Sequence, residues 1–319
     1  GGMISDELLI SKEKVELSAS ICKTDLTSDL VGEFPELQGL MGGYFSEHQG
    51  FDKDICIAIT EQYLPIGLNS RVPKKPFSIA LSITDKIDTL VGFFGINEKP
   101  TSSKDPFALR RSAIGLLRII IENKLNIQIK DLINYSISSY TEQNVKFSNT
   151  TISKDLLYFL RERFKYLLKD KKIRNDIIEA ADTSHINNDF LILFRKCAVL
   201  NRNISKEVCK NIMSAYKRAS NIIEHELKDK KNNFLGQPEL FLFKKDEEKT
   251  FYNKINEIRK YFSSVKKNES YDETLKVLSE AKSSTDNFFE NVVVNDENLD
   301  IKKNRLELLQ MFCKTYDSF

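Results

Sequence analysis

The sequence predicts an all-α protein of two helical domains in series, on three observations. Nearly every long segment repeats its apolar residues at the spacing of one helical face. The single strand-like run, Val292-Val293-Val294, is too short to carry a sheet. A polar stretch rich in Ser, Thr, Asn and Gln, residues 126–149, interrupts the periodic pattern near the middle and reads as a linker. A length of 319 residues fits the same division, because one compact core rarely serves so long a chain.

The elements follow in order. Gly1-Gly2 before Met3 read as a tag remnant and are set aside. Leu8 to Leu30 is helically periodic and is stopped by Gly32 and Pro35. FPELQGLMGGYF, with three glycines and a proline, is expected to be a structured loop between helices. Asp52 to Tyr63 returns to helix, Leu64 to Pro76 connects, and Ile79 to Phe94 forms a helix ended by Gly95. The polar NEKPTSSKDP loop leads into a helix over Phe107 to Glu122, with a proline near its first turn.

Beyond the linker, Ser153 is placed as an N-cap of a helix whose apolar face is Leu156, Leu157, Leu160, Phe164, Leu167 and Leu168. Ser205 to Lys228 would bury Val208, Ile212, Ala215, Ala219, Ile222 and Ile223. Residues 229–250 read as loop, and further helices are expected at about 250–263, 271–290 and 299–316.

Composition narrows the function classes. No apolar run reaches the roughly 18–20 residues that span a bilayer, and no signal peptide opens the chain, so a cytoplasmic protein without membrane contact is expected. Cys22, Cys56, Cys197, Cys209 and Cys313 are scattered with no paired spacing, as in a reducing compartment. His48, His185 and His225 lie far apart and suggest no zinc site. Net charge is +2 overall, −2 over residues 1–130 (15 basic, 17 acidic) and +4 over residues 131–319 (33 basic, 29 acidic). So weak an asymmetry does not by itself establish a nucleic-acid partner.

Particular words in the sequence say more. KTDLT (23–27), GEFPELQGLMG (32–42), DKIDTLVGFFGI (85–96) and SKDPFALRRSAIGLLRII (103–120) closely resemble the beta subunit of bacterial glycyl-tRNA synthetase. YFLRERF (158–164), KRASNII (217–223), DNFFENVVV (286–294) and NRLELL (304–309) continue the resemblance in the family's order, so that it runs from about Leu8 to the end.

The resemblance implies the tRNA-binding C-terminal part of that subunit. It implies a helical domain similar to the HD phosphohydrolase fold over residues 3–125. It also implies a helical-bundle anticodon-binding domain, similar to that of arginyl-tRNA synthetase, over residues 150–319. The family's long N-terminal portion has no counterpart in the matched stretch. The implied partners are glycine tRNA and the alpha subunit, in a tetramer of two alpha and two beta subunits. ATP and magnesium would serve the alpha subunit, so no cofactor and no catalytic residue is expected here.

HD enzymes hold metals with separated histidines and a His-Asp dipeptide, which this sequence lacks. Asp25, Asp85 and Asp88 are therefore read as cap or network residues of helix ends. A metal-dependent nucleotide phosphohydrolase, or a pure assembly scaffold, stands as the alternative reading of the whole chain.

Candidate tRNA contacts fall in four groups. Lys104, Arg110 and Arg111 flank a helix start, where free N–H groups attract an anion. Adjacent arginines diverge by about 100° on a helix, so one can face phosphate while the other pairs inward with Asp85, Asp88 or Asp105. Two readings stand for this group, RNA-backbone contact or an ion-pair network that anchors the loop. Arg161, Arg163 and Lys169 belong to the densest basic run (161–174), which would attract a polyphosphate or simply be solvated. Lys217, Arg218 and Asn221 lie on the polar side of a helix whose other face is core, and Asn304 and Arg305 lie in a second family word. These five are candidates for base contact. Glycine codons begin GG, so the matching anticodons end in two cytosines. Each cytosine needs an acceptor for its amino group and donors for its ring nitrogen and carbonyl.

Overall fold

The computed structural model describes residues 2–182, 189–228, 236–264 and 271–317, so His185 lies outside the described residues. The described residues contain helices and no strand, which bears out the all-α class. Val292 is extended (φ −113°, ψ 118°), but it follows a helix and joins no sheet.

The chain divides into two compact units, Gly1–Cys197 and Ala198–Phe319. In the first, α1 (Gly2–Leu8) and α2 (Lys12–Ile21) are followed by a 3-10 turn at Thr24–Thr27 and by α3 (Asp29–Glu33). The long helix read over Leu8 to Leu30 is thus broken. Leu9 turns to φ 53°, and Ser11 and Ser28 each accept from the backbone three residues on, starting new helices. A second 3-10 turn, Pro35–Leu37, leads to α4 (Leu40–His48).

The glycine-rich segment read as a loop is therefore half helix. Its glycines allow α4 to press on α5 (Lys53–Glu61): a Cβ at Gly43 would lie 2.0 Å from Thr60 Oγ1 and 3.0 Å from the Cys56 carbonyl. Close packing overrides glycine's poor helix propensity here.

Helix α6 (Pro76–Gly95) is the axis of this unit. Twelve of its 20 residues are buried, on several faces, as befits a helix surrounded by others. Around it pack α2, α5, α7 (Leu109–Glu122), α8 (Ile129–Glu142) and α9 (Ile152–Asp170). The stretch 126–149 is thus no linker. It holds α8, which buries Ile129, Leu132, Ile133 and Ser136. Its many polar residues occupy the solvent side, which made the segment read as loop. After α8 the chain folds back on α6, where Asn149 N donates to the Gly95 carbonyl at 3.0 Å.

Thr151, not Ser153, precedes α9, and of the predicted face, Leu156, Leu160, Phe164, Leu167 and Leu168 are buried while Leu157 is half-buried. Two helices unread in the sequence follow, α10 (Asn175–Asp182) and α11 (Phe190–Asn203), and the division into units falls within α11.

The second unit consists of α12 (Glu207–Lys228), a 3-10 turn at Leu240–Leu242, α13 (Asp246–Ser264), α14 (Tyr271–Ser279), α15 (Ala281–Asn291) and α16 (Leu299–Asp317). Phe251 of α13 centres its core, with ring centroids 5.0 Å from Phe288 of α15 and 5.2 Å from Phe312 of α16. Ala215, Ala219 and Ile223 bring α12 to the same core. All five cysteines are buried thiols outside any disulfide, and burial pushes the Cys313 thiol up to about 12.

Candidate nucleic-acid interface

Helix α12 has one face in the core and one in solvent, and the solvent face carries the polar residues singled out in the sequence. Arg218, Asn221, Ile222 and His225 recur at helical intervals and form one wall of a cleft of about 440 Å³. The opposite wall is Phe289 and the segment Val292 to Asn295 after α15. The Arg218 guanidinium lies over the Phe289 ring, 4.3 Å from its centroid, and donates to the Phe289 carbonyl at 3.4 Å. That contact holds an exposed cation against an aromatic plane. Glu226 also lines the cleft, but its charge is matched by Lys302 at 2.9 Å. Arginine donors, two amides and an imidazole thus share one cleft with an aromatic platform. Lys217 is exposed beside the cleft and does not line it.

Arg305 and Asn304 are not on this surface, a correction to their reading as base contacts. The Arg305 side chain is 3% exposed and pairs with the fully buried Glu248 at 2.8 Å and with Asp296 at 2.7 Å. It also donates to the Val293 carbonyl at 2.8 Å, so it fixes the backbone of the cleft wall from behind. Glu248 accepts in addition from Lys244 N and Lys245 N. Asn304 is buried and bonds both the N–H and the carbonyl of Glu239, at 2.7 and 3.1 Å. Their sequence word marks a core network, whose polar residues look the same in one dimension as a binding surface.

In the first unit, the start of α7 offers no free anion site. The Asp105 carboxylate already accepts from Leu109 N at 2.8 Å and from Arg110 N at 3.0 Å. Arg110 turns inward to the Thr101 carbonyl and lies 3.9 Å from Asp105, while Arg111 is exposed. The network reading therefore holds for Arg110. Arg111 instead lines a cleft of about 230 Å³ with Pro65, Leu68, Ile114 and Tyr166 of α9. Lys104 is exposed in the preceding loop. On α9, Lys169 is exposed, Arg161 is half-buried, and half-buried Arg163 lies over the Phe159 ring, 5.6 Å from its centroid.

The carboxylates considered as metal ligands have other partners. Asp25 is fully buried and accepts from Gly39 N at 2.6 Å and Gly42 N at 3.2 Å. Asp85 is bridged by Lys23, whose ammonium also lies 4.4 Å from the centre of the Tyr63 ring. The neighbouring Lys86 is buried, donates to Ser82 Oγ at 2.9 Å, and is lowered by that burial to about 8. Among the described residues no three His, Cys, Asp or Glu side chains are grouped to hold a metal.

The family profile described as glycyl-tRNA synthetase beta subunit matches residues 2–182, more than half of the chain. The chain belongs to the glycyl-tRNA synthetase beta-subunit family. Its second unit carries a match, over residues 212–317, to the DALR anticodon binding domain. Among curated relatives, the glycine–tRNA ligase beta subunit of Rickettsia canadensis (strain McKiel) is 38% identical over 300 residues, covering 94% of this chain and 43% of the relative. The same subunit of Rickettsia typhi (strain ATCC VR-144 / Wilmington) is 36% identical over 310 residues (97% and 44%). That of Rhodospirillum centenum (strain ATCC 51521 / SW) is 35% identical over 298 residues (93% and 41%). The chain thus spans less than half the length of these glycyl-tRNA synthetase relatives.

Within the DALR match lie residues of the cleft that the sequence reading missed, namely Phe289, His225 and Val293 to Asn295. The doublet Phe288-Phe289 held the available signal. Adjacent positions lie about 100° apart on a helix, and with Phe288 fully buried Phe289 is only half-buried, at the edge of the core.

Proposed function

We propose that this chain is the tRNA-binding part of a glycine-tRNA ligase beta subunit and that its second unit reads the anticodon of glycine tRNA. The observation that carries the reading is the α12 cleft, where Arg218 lies on Phe289 beside Asn221 and Asn295, inside the stretch that matches an anticodon-binding domain. An unstacked base can stack on the guanidinium plane, and amides supply both the acceptor and the donors that a cytosine edge demands. The alpha subunit would supply glycine activation with ATP and magnesium, in a cytoplasmic tetramer of two alpha and two beta subunits. The first unit would be an HD-like helical domain without hydrolytic chemistry, offering Lys104, Arg111 and Lys169 to the RNA backbone. In support, two of the three carboxylates weighed as metal ligands, Asp25 and Asp85, are engaged by backbone and lysine groups.

Binding isotherms at two salt concentrations, on glycine tRNA and on the same tRNA with its anticodon changed, test the assignment. Arg218→Ala should cost about 1–3 kcal/mol with the proper anticodon and little with the changed one. Lys169→Ala should weaken both tRNAs alike and reduce the salt slope by roughly one. Equal binding of the two tRNAs by the wild type, with no change of ratio in Arg218→Ala or Asn221→Ala, would refute anticodon reading at this cleft.

A further inference from the structure

The first unit carries an apolar surface apart from the candidate tRNA contacts. Six of the twenty large apolar side chains exposed among the described residues fall within residues 26–45: Leu26, Leu30, Phe34, Leu40, Tyr44 and Phe45, between 36% and 56% exposed. Leu40 and Tyr44 are four residues apart in α4 and lie along one side of it, while Leu30 lies in α3 and Phe34 directly follows that helix. The backbone beneath them is fixed. The Asp25 carboxylate ties the Thr24–Thr27 turn to Gly39 and Gly42, at the start of α4. Gly42 and Gly43 hold α4 against α5 too closely for any side chain. A surface whose backbone is ordered before binding loses little freedom on docking.

Its charge is one-sided. Residues 24–50 contain no Lys or Arg, while Asp29, Glu33, Glu36 and Glu47 are exposed around the apolar groups. Lys23, which directly precedes the segment, is already bridged to Asp85. RNA phosphate is repelled by such a rim. A second copy in a two-fold interface would set the same carboxylates against each other with no cation between them.

We infer that residues 24–48 form a docking face for the alpha subunit of the synthetase, through a patch on that subunit that is apolar at its centre and bordered by Lys and Arg. The inference rests on the reading of the chain as a synthetase beta subunit. The buried centre provides affinity, and the acidic rim steers association and selects against nucleic acid.

Titration calorimetry of the 319-residue chain with purified alpha subunit tests the docking face, with tRNA filter binding run in parallel on the same preparations. The wild type should bind the alpha subunit, more weakly as salt rises. Phe34→Ser and Tyr44→Ser should each raise Kd at least tenfold with helix content and melting temperature kept. Glu36→Lys, on an exposed turn, should weaken binding and flatten its salt dependence, while Phe241→Ser in the second unit should change nothing. Unchanged Kd in all three first-unit variants overturns the proposal. So does a wild type that binds tRNA but not the alpha subunit, whereas failure to bind either overturns the synthetase reading with it. A concentration-dependent dimer dissolved by the same substitutions also overturns it, in favour of a second copy.

Discussion

Arg218 and Arg305 are the same residue type in the same unit, and their surroundings give them opposite work. Arg218 is exposed and lies on an aromatic ring at the cleft, while Arg305 is enclosed and satisfies the fully buried Glu248. Removing one partner of a buried pair leaves the other charge without compensation, so Arg305→Ala should destabilise by about 3–5 kcal/mol. Arg305→Lys should recover little of this, because one ammonium cannot reach Glu248, Asp296 and the Val293 carbonyl in the planar fork geometry of a guanidinium. Urea unfolding midpoints check both. A loss below about 1 kcal/mol for the alanine variant would mean that Glu248 is not held as described.

At the scale of elements, glycine and a helix-end carboxylate do work that periodicity does not register. Gly43→Ala drives a methyl group to 2.0 Å from Thr60 Oγ1 and should cost about 1–3 kcal/mol by overpacking the α4–α5 contact. Gly32, in α3, has open space where a Cβ would sit, so Gly32→Ala should be neutral or stabilise by about 0.4–1 kcal/mol. Thermal melts of the pair separate a packing role from simple helix propensity.

At the start of α9, hydrogen bonds from Lys99, Thr151 and Asn149 lower the Asp155 carboxyl to about 2. A depressed carboxyl pKa means that the unfolded chain binds the proton more readily. Its contribution is therefore complete above the ordinary carboxyl range near 4 and is lost as pH falls through about 2. Asp155→Asn should accordingly melt below the wild type at pH 7, and the gap should close as pH falls from about 4 toward 2. A gap independent of pH would count against the ionised network.

For the molecule as a whole, two helical units with separate interiors suit recognition of an extended partner better than enclosure of a small substrate. Each unit buries its apolar residues locally and presents Arg111, Lys169 and Arg218 outward, on α7, α9 and α12. The chain also contains no glycine-rich phosphate loop of the kind that cradles ATP. It should therefore give no glycine-dependent ATP–pyrophosphate exchange when assayed without an alpha subunit. Exchange above the level of a blank would overturn that assignment of roles.

The helical class, α6, α7, α9, α12 and α16, and the family itself were determined by the sequence alone. Their physical basis is local: long amphipathic runs repeat at helical spacing, and family words keep their order whatever the packing. Tertiary structure decided the rest. It alone turned the polar stretch 126–149 into α8, because a helix needs only a narrow buried stripe, here Ile129, Leu132 and Ile133, and its solvent side resembles a linker. It alone made GLMGG a helix start, since a partner helix at close range rewards glycine where propensity opposes it. And it alone separated Arg218 from Arg305, because side chains of equal polarity become contact or core according to which groups surround them in space, and those groups come from distant parts of the chain.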